Sequence, residues 1–349
     1  MNTQPPIPVT LLTGFLGSGK TTLLNQLLGK PDLKDTAVII NEFGEIPLDH
    51  LLIEQADENL RVLNNGCLCC AVRGDLIDTL QTLQVRRASG QVPAFSRVII
   101  ETTGLADPAP ILHTLMVEPD ITRHYRLGSV VTTVDAINGA NSLQRHAEAS
   151  KQVAVADCLL LTKTDLVSAD TVATLRRDLL ALNPMAQVLE AANAISSPGI
   201  LLDRGWYEAQ HKTAHVRSWL AFEALQIEQG HSHHHHDVNR HSSQIQAHCF
   251  TWSEAVAEAQ FHHWLELMAA MRGEKMLRIK GLIQLLEQPE QPMLIHGVQH
   301  VLHPPLRLVH WPSKDQRSRL VFITRDLPRS DIARTLQKFV GIGSAEAIS

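Results

Sequence analysis

The stretch "GFLGSGKTT", from Gly14 to Thr22, decides the fold of this 349-residue chain. It fits the pattern G-x-x-x-x-G-K-[ST], and it follows an apolar run and opens a helix-like stretch, the context in which this motif cradles phosphate. Glycines let the backbone fold tightly and turn successive N–H groups inward, and the N-terminus of the following helix adds partial positive charge. The motif therefore predicts a phosphate-binding loop in which Lys20 reaches the β- and γ-phosphates and Thr21 holds Mg²⁺. The predicted nucleotide contacts from this loop are Gly14, Gly17, Ser18, Gly19, Lys20, Thr21 and Thr22.

Short apolar runs alternate with helix-like stretches through the N-terminal part of the chain. The runs are rich in Val, Ile and Leu and show no strict alternation with polar residues, which is typical of strands buried on both faces. They are Ile7–Gly14, Thr36–Glu42, Arg97–Gly104, Ser129–Ala136, Asp157–Asp165 and Ala186–Ala191. The helix-like stretches between them include Lys20–Leu28, Asp75–Arg87 and Ala169–Leu182. This order predicts an α/β P-loop NTPase domain, with a mostly parallel sheet and helices on both of its faces.

The sequence changes character after Asp203. The polar, low-complexity segment "EQGHSHHHHDVNRHSSQ" (228–244) has no periodicity and is typical of a linker. Beyond it, "IQAHCFTW", "MLRIKGLIQLL", "PMLIHGVQHVLH" and "RLVFITRD" predict strands. A helix is expected to open at Ser253 and Glu254, and "PRSDIARTLQKFV" predicts a closing helix. We therefore expect three parts: a P-loop domain at 1–203, a linker at 204–244 and a smaller α+β C-terminal domain at 245–341.

The segment "LLLTKTD" (159–165) points to guanine as the base. In guanine-specific P-loop proteins an [NT]-K-x-D sequence stands at the end of such a strand. Asp165 would accept hydrogen bonds from the guanine N1–H and exocyclic amine, and adenine offers that carboxylate the wrong donors. The stem of Lys163 would lie over the base, and Thr162 stands where Asn is commoner. The alternative is a solvated loop with ordinary charges. A further loop contacting the base is expected at Glu190–Ser196.

A second phosphate-facing segment is "IIETTGLADP" (99–108). In its order and spacing after the phosphate loop, Glu101 is placed to support the Mg²⁺ shell, and the Gly104 N–H to meet the γ-phosphate. A loop anchored there can sense whether the γ-phosphate is present. Lys20, Thr21 and Glu101 are therefore the candidate catalytic group.

Three of the five cysteines lie together in "NNGCLCC", at Cys67, Cys69 and Cys70. Thiolates suit Zn²⁺ and similar thiophilic ions. On a regular strand Cys70 would point away from the other two, so three-thiolate ligation needs an irregular loop, which Asn64–Gly66 favours. Otherwise two cysteines bind, and Glu42, Glu45 or a histidine completes the shell. Small buried core residues and a redox pair are the alternatives.

A histidine tract, "HSHHHHD" (231–237), offers further metal ligands. Free imidazoles chelate zinc, nickel, cobalt and copper with little selectivity. The tract would collect or buffer metal through His231, His233, His234, His235 and His236. The alternative is a solvated linker.

The overall composition excludes several classes of partner. With 31 basic and 36 acidic residues the net charge is −5, so no affinity for nucleic acid or anionic membranes is expected. No apolar stretch reaches the roughly 18 residues needed to cross a bilayer. The N-terminus does not look like a signal peptide, and an odd, clustered set of cysteines argues against a disulfide framework. We expect a cytoplasmic protein.

Taken together, "TLLTGFLGSGKTTLLN", "NEFGE", "NNGCLCC", "ETTGLADP" and "LLLTKTD" resemble the CobW/YjiA family of metal-handling GTPases, in the branch that handles zinc. The likeness extends over nearly the whole chain, including the histidine-rich linker and the C-terminal "KMLRIKGL" and "LIHGVQHVLH" segments. The resemblance implies slow hydrolysis of GTP to GDP, coupled to the carriage of a transition metal, most simply zinc, to a client metalloprotein. It also implies that the C-terminal domain recognises the client or a second subunit.

Several rival functions remain at this point. One is a metal-buffering or sensing protein in which nucleotide is only a conformational ligand. Another is an accessory that inserts cobalt during cobalamin synthesis, so Co²⁺ and Ni²⁺ stand beside Zn²⁺ as candidate metals. A P-loop kinase for a small molecule is opposed by Lys163, Asp165 and the cysteine motif. An oligomer is compatible with the sequence.

Overall fold

Two β-sheets organise the chain, each within its own compact unit. The computed structural model describes residues 5–41, 60–62, 68–71, 76–202 and 245–342. All structural statements below refer to those residues.

The first sheet carries the phosphate loop. Its strands are β1 (Ile7–Gly14), β2 (Thr36–Asn41), β3 (Leu60–Val62), β4 (Leu68–Ala71), β5 (Arg97–Thr102), β6 (Tyr125–Asp135), β7 (Cys158–Thr162) and β8 (Gln187–Glu190). Their order across the sheet is β3-β4-β2-β5-β1-β6-β7-β8. Only β3 is antiparallel to its neighbour among these strands. The predicted, mostly parallel sheet is therefore confirmed, and the edge strand β3 and its neighbour β4 are additions to it.

Helices cover both faces of this sheet. They are α1 (Lys20–Leu28), α2 (Leu76–Ala88), α3 (Ala109–Val117), α4 (Pro119–Thr122), α5 (Gly139–Arg145), α6 (Ala147–Ala154), α7 (Ala169–Leu182), α8 (Ala191–Ser196) and α9 (Gly199–Leu202). Leucines of α1 pack with Leu12, Val38 and Leu160 on one face. Residues adjacent to these on the same strands point to the opposite face. They are Leu11, Ile39 and Leu159, and all three are fully buried, as a parallel sheet covered on both faces requires.

The second unit has an antiparallel sheet. Its elements are β9 (Ile245–Trp252), α10 (Glu258–Arg272), β10 (Met276–Ile283), β11 (Met293–Val298), β12 (Val301–Leu302), β13 (Leu306–Arg307), β14 (Ser318–Arg325) and α11 (Arg329–Val340). The sheet order is β12-β11-β10-β14-β9, and β13 pairs with β11. Phe250, Trp264 and Phe322 lie in the core, and the indole N–H of Trp264 donates to Thr335 Oγ1 at 3.1 Å. The expected smaller α+β fold is thus present.

One local prediction in this unit is wrong, and another is confirmed with a break in the strand. The helix expected at Ser253 begins at Glu258, because Val256 is buried and its backbone bridges to Leu285. The segment "PMLIHGVQHVLH" forms two paired strands, β11 and β12, since the chain turns at Gln299, whose φ is +53°.

In the part of the chain that the structure describes, no helix is both long and apolar enough to cross a bilayer.

Burial in the first sheet predicts a large effect of trimming Leu160. This side chain is fully buried, whereas Leu166 a few residues later is 64% exposed. Leu160→Ala should lower the free energy of unfolding by about 2–5 kcal/mol, because it leaves a cavity beneath α1. Leu166→Ala, the matched control, should change it by less than about 0.5 kcal/mol. Urea denaturation followed by circular dichroism measures both, and equal losses would contradict the assigned core.

Candidate nucleotide-binding site

The backbone between β1 and α1 forms a tight loop made possible by glycine. Gly14, Gly17 and Gly19 have φ angles of +144°, +72° and +87°, values that residues with a side chain rarely adopt. A Cβ on Gly14 would lie 2.5 Å from Thr133 O, so the loop also needs glycine for space. The predicted phosphate loop therefore has the required backbone.

Lys20 folds back over this loop. Its side chain is buried, and Nζ donates to Gly14 O at 2.9 Å and to Phe15 O at 3.3 Å. A buried ammonium held by carbonyls of the loop places positive charge where the loop encloses an anion. Lys20 is thus positioned to meet phosphate.

Hydrogen bonds to the ends of β6 and β7 fix the loop from behind. Ser18 Oγ and Thr133 Oγ1 lie 2.7 Å apart, and Thr162 Oγ1 donates to Ser18 O at 2.8 Å. Thr162 therefore braces the phosphate loop. Thr133, at the carboxyl end of β6, was not among the predicted residues, and its place at the end of a buried run was the only signal for it.

Thr21 and Glu101 meet at the ends of α1 and β5. The Thr21 hydroxyl donates to Glu101 Oε1 at 2.6 Å, and Glu101 is 4% exposed. A hydroxyl and a carboxylate offer the hard oxygen ligands that Mg²⁺ takes beside nucleotide phosphates. The two side chains fit the predicted magnesium site.

Lys163 links the predicted base-contacting turn to the phosphate loop. Its backbone is left-handed, with φ +56°, and Nζ donates to Asp135 Oδ2 at 2.7 Å and to Gly17 O at 2.9 Å. Burial alone would raise the pKa of Asp135. Hydrogen bonds from Lys163, from the Ile137 backbone and from Asn138 outweigh burial, so this pKa lies below its ordinary value. Asp135 was missed in the sequence, although it stands at the end of the run "SVVTTVDA".

Asp165 lies in a 3₁₀ turn, Thr164–Leu166, and is exposed. The neighbouring Thr164 Oγ1 donates to Glu190 Oε2 at 3.0 Å, which ties this turn to the end of β8. The loop expected at Glu190–Ser196 is wrong, because Ala191–Ser196 forms α8 directly after the strand.

Gly104 packs directly against the phosphate loop. A Cβ at this position would lie 2.7 Å from the backbone nitrogen of Leu16 and 2.8 Å from its Cα. The segment after β5 therefore approaches the loop as closely as a side-chain-free residue permits. This is the contact expected of a segment that responds to the γ-phosphate.

The structure describes only part of the predicted metal site. The backbones of Cys69 and Cys70 lie in β4, opposite Val38 and Ile39 of β2, so this half of the motif is regular strand and not irregular loop. Cys67, Glu42, Glu45 and the tract His231, His233, His234, His235 and His236 lie outside the described residues. Within the described ranges, no group of three His, Cys, Asp or Glu side chains is arranged to hold a metal.

Known protein families match both units of the chain. The family model described as CobW/HypB/UreG, nucleotide-binding domain, matches residues 8–190, and that of the cobalamin synthesis protein CobW C-terminal domain matches residues 245–340.

Two relatives and one solved structure are informative. The zinc chaperone YjiA of Escherichia coli is 31% identical over 327 residues, 94% of this chain and 96% of that protein. The zinc-regulated GTPase metalloprotein activator 1 of Schizosaccharomyces pombe is 36% identical over 54% of this chain and 46% of that protein. The crystal structure of the Zn(II)-bound YjiA GTPase from E. coli superposes with a TM-score of 0.76 at 28% identity, covering 96% of this chain and 99% of that one.

The ion pair between Asp135 and Lys163 predicts a pH-dependent stability. Because the folded pKa of Asp135 lies below the unfolded value of about 4, its stabilising effect is complete above that pH. It is lost as pH falls through the folded pKa. Asp135→Asn should therefore lower the thermal unfolding midpoint at neutral pH, and the gap to wild type should narrow on acidification. In a Lys163→Met background the same substitution should have a smaller effect, and an undiminished one would contradict the pairing.

Proposed function

Because this chain belongs to the CobW/HypB/UreG family, we propose that it is a GTPase that couples nucleotide state to the handling of a transition metal. In this proposal it binds GTP with Mg²⁺ and hydrolyses it slowly to GDP and phosphate. It binds zinc and transfers it to a client metalloprotein. One observation carries the proposal: the strand with Cys69 and Cys70 belongs to the same sheet as the phosphate loop, separated from β1 only by β2 and β5.

The phosphate loop supports the hydrolytic half of the proposal. Loop N–H groups and the Lys20 ammonium would stabilise charge that develops on the β- and γ-phosphate oxygens during in-line attack by water. Thr21 and Glu101 would hold Mg²⁺, which when bound neutralises phosphate charge. Gly104, packed on Leu16, would present its backbone to the γ-phosphate. Slow turnover is expected from the likeness to this family of metal-handling GTPases.

Guanine specificity is assigned to the turn after β7. The exposed carboxylate of Asp165 is available to the base, and Lys163 is fixed beside the phosphate loop through Gly17 and Asp135. In this geometry the aliphatic stem of Lys163 can cover one face of the base. The carboxylate then selects guanine through the two donors on its Watson–Crick edge.

Zinc is the proposed cargo because the motif supplies thiolates. The proposed ligands come from Cys67, Cys69 and Cys70. Because Cys69 and Cys70 are consecutive residues of the regular strand β4, two of the three thiolates bind and Glu42 completes the shell. Thiolates favour zinc over harder ions. The same soft set also accepts Co²⁺ and Ni²⁺. The names of the relatives, a zinc chaperone and a zinc-regulated GTPase activator, support zinc.

The remaining parts of the chain take subsidiary roles in the proposal. The nucleotide and metal functions are assigned to 1–203, metal collection to the linker 204–244, and recognition of the client or a second subunit to 245–341. The cytoplasm is the proposed compartment, because clustered thiols stay reduced there.

A metal-buffering protein is the second candidate. It is favoured by one observation, the five histidines at positions 231 and 233–236. In that case nucleotide would act only as a conformational ligand, and metal capacity would follow the histidine tract.

The role of Asp165 predicts a selective loss of guanine recognition. Asp165→Ala should weaken GDP and GTP binding at least tenfold, because two hydrogen bonds to the base are lost. Binding of ADP, already weak, should not fall. Titration with fluorescent nucleotides measures this, and Asp170→Ala, an exposed side chain in the first turn of α7, is the matched control. A parallel fall for adenine and guanine nucleotides would refute the assignment.

Coupling between metal and nucleotide predicts two zinc affinities for one protein. Zinc affinity, measured by competition with a chelator, should differ about 5–150-fold between GDP and a non-hydrolysable GTP analogue. Linkage requires zinc to change nucleotide affinity by the same factor. The triple variant Cys67→Ser, Cys69→Ser, Cys70→Ser should lose the nucleotide-dependent binding.

Two controls separate the rival functions. Cys249→Ser changes a cysteine of the C-terminal unit and should leave zinc affinity unchanged. Replacing the five tract histidines by serine should lower the number of zinc ions bound without removing the nucleotide-dependent site. Binding that ignores nucleotide and survives the triple variant would favour the buffering protein.

A further inference from the structure

A buried glutamine on α6 holds the segment Gly104–Asp107, the sensor segment, by hydrogen bonds. Gln152 is fully buried, and its Nε2 donates to Gly104 O and to Ala106 O, both at 3.1 Å. The two carbonyls settle the orientation of the amide, because a flipped side chain would place Oε1 against both oxygens. Each amide hydrogen therefore has one acceptor on the sensor segment.

The preceding residue of the same helix holds the far end of the sensor segment. Lys151 Nζ lies 2.7 Å from Asp107 Oδ2, and both side chains are only partly exposed. Asp107 Oδ1 also accepts from the Ala109 N–H at 3.0 Å, where α3 begins. Two adjacent residues of α6 thus fix both ends of a four-residue segment.

Helix α6 is itself firmly attached to the sheet. Thr132 Oγ1, on β6, donates to Gln152 O at 2.8 Å, and Ser150 Oγ donates to Leu143 O at 2.9 Å. Val153 and Ala154, in the last turn of the same helix, are buried. Because these contacts hold α6 in place, α6 is the rigid element, and its hydrogen bonds position the sensor segment.

On its other side the sensor segment touches the phosphate loop. Gly104 lies against the Leu16 backbone, and the ring of Phe15 stacks on His146, which immediately precedes α6, with centroids 4.5 Å apart. The sensor segment is therefore enclosed between α6 and the loop that holds the phosphates.

We propose that Gln152 is a positioning residue for recognition of the γ-phosphate. By holding the Gly104 and Ala106 carbonyls in place in advance, it lowers the cost of ordering the sensor segment when a triphosphate binds. A diphosphate has no γ-phosphate to contact the sensor segment, so the affinity of the protein for GDP does not depend on the hydrogen bonds from Gln152. This inference rests on the proposed nucleotide function, and it assigns to α6 a part in distinguishing GTP from GDP.

The test removes the amide while keeping the length of the side chain. Gln152→Met should weaken binding of a non-hydrolysable GTP analogue about tenfold, the size expected for loss of one or two neutral hydrogen bonds. GDP binding should stay within about twofold, and kcat for GTP should fall. Gln144→Met, on the exposed surface of α5, is the matched control and should leave both affinities unchanged.

A second variant keeps the test decisive if Gln152→Met unfolds. Lys151→Met removes only the partly exposed ion pair to Asp107, and it should shift the GTP-to-GDP affinity ratio in the same direction by a smaller factor. Thermal unfolding of each variant shows that the fold is intact.

The outcomes distinguish failure of the Gln152 proposal from failure of the GTPase proposal on which it rests. An unchanged ratio in folded variants, an equal loss for both nucleotides, or tighter binding of the GTP analogue overturns the role of Gln152 and leaves the GTPase proposal standing. A wild-type protein that binds neither nucleotide overturns both.

Discussion

The backbone of the phosphate loop is the constraint on which the rest of the site depends. Gly14 has no room for a side chain beside Thr133, and positive φ angles at Gly14, Gly17 and Gly19 turn the chain within a few residues from β1 into α1. Everything else converges on that turn. Lys20 closes over its carbonyls, and Thr162 and Lys163 bond to the carbonyls of Ser18 and Gly17. Side-chain donors thus bond to several carbonyls of the loop, and one loop N–H, that of Ser18, is itself bonded to Phe15 O at 3.1 Å.

The arrangement follows from a parallel sheet. Parallel strands bring their carboxyl ends to one edge, and the polar residues that end β1, β5, β6 and β7 meet there. Thr102 Oγ1 donates to Thr13 Oγ1 at 2.8 Å, and Thr133 lies beside Ser18. These hydroxyl contacts join neighbouring strand ends to the loop without introducing net charge. The charged groups, Lys20, Glu101 and Asp135, each have a partner at that same edge.

Much of this could be predicted from the sequence, because local pattern and tertiary context agree. The six apolar runs became strands, and the loop motif lies between β1 and α1. The failures have tertiary causes. Val256 forms a β-bridge with Leu285, so α10 begins at Glu258 and not at Ser253. Asp135 and Gln152 were missed because no sequence motif surrounds them. Gln152 lies in an ordinary helical stretch, and only the fold brings it to Gly104, 48 positions earlier in the chain. The short strands β3 and β4, at one end of the sheet, carry too little pattern to be recognised.

The position of β4 gives the metal proposal its physical basis. Cys69 and Cys70 pair in register with Val38 and Ile39, and β2 pairs in turn with β5, the strand that carries Glu101 and precedes the sensor segment. Packed sheets are stiff, so a shift at one strand end is passed to its hydrogen-bonded neighbours more readily than across a loop. The carboxyl ends of β2 and β5 therefore lie at the same edge of the sheet as the phosphate loop. In our proposal, a metal bound by side chains around β4 and a γ-phosphate bound by Gly104 act on two strands of one sheet, β4 and β5, and the single strand β2 joins them.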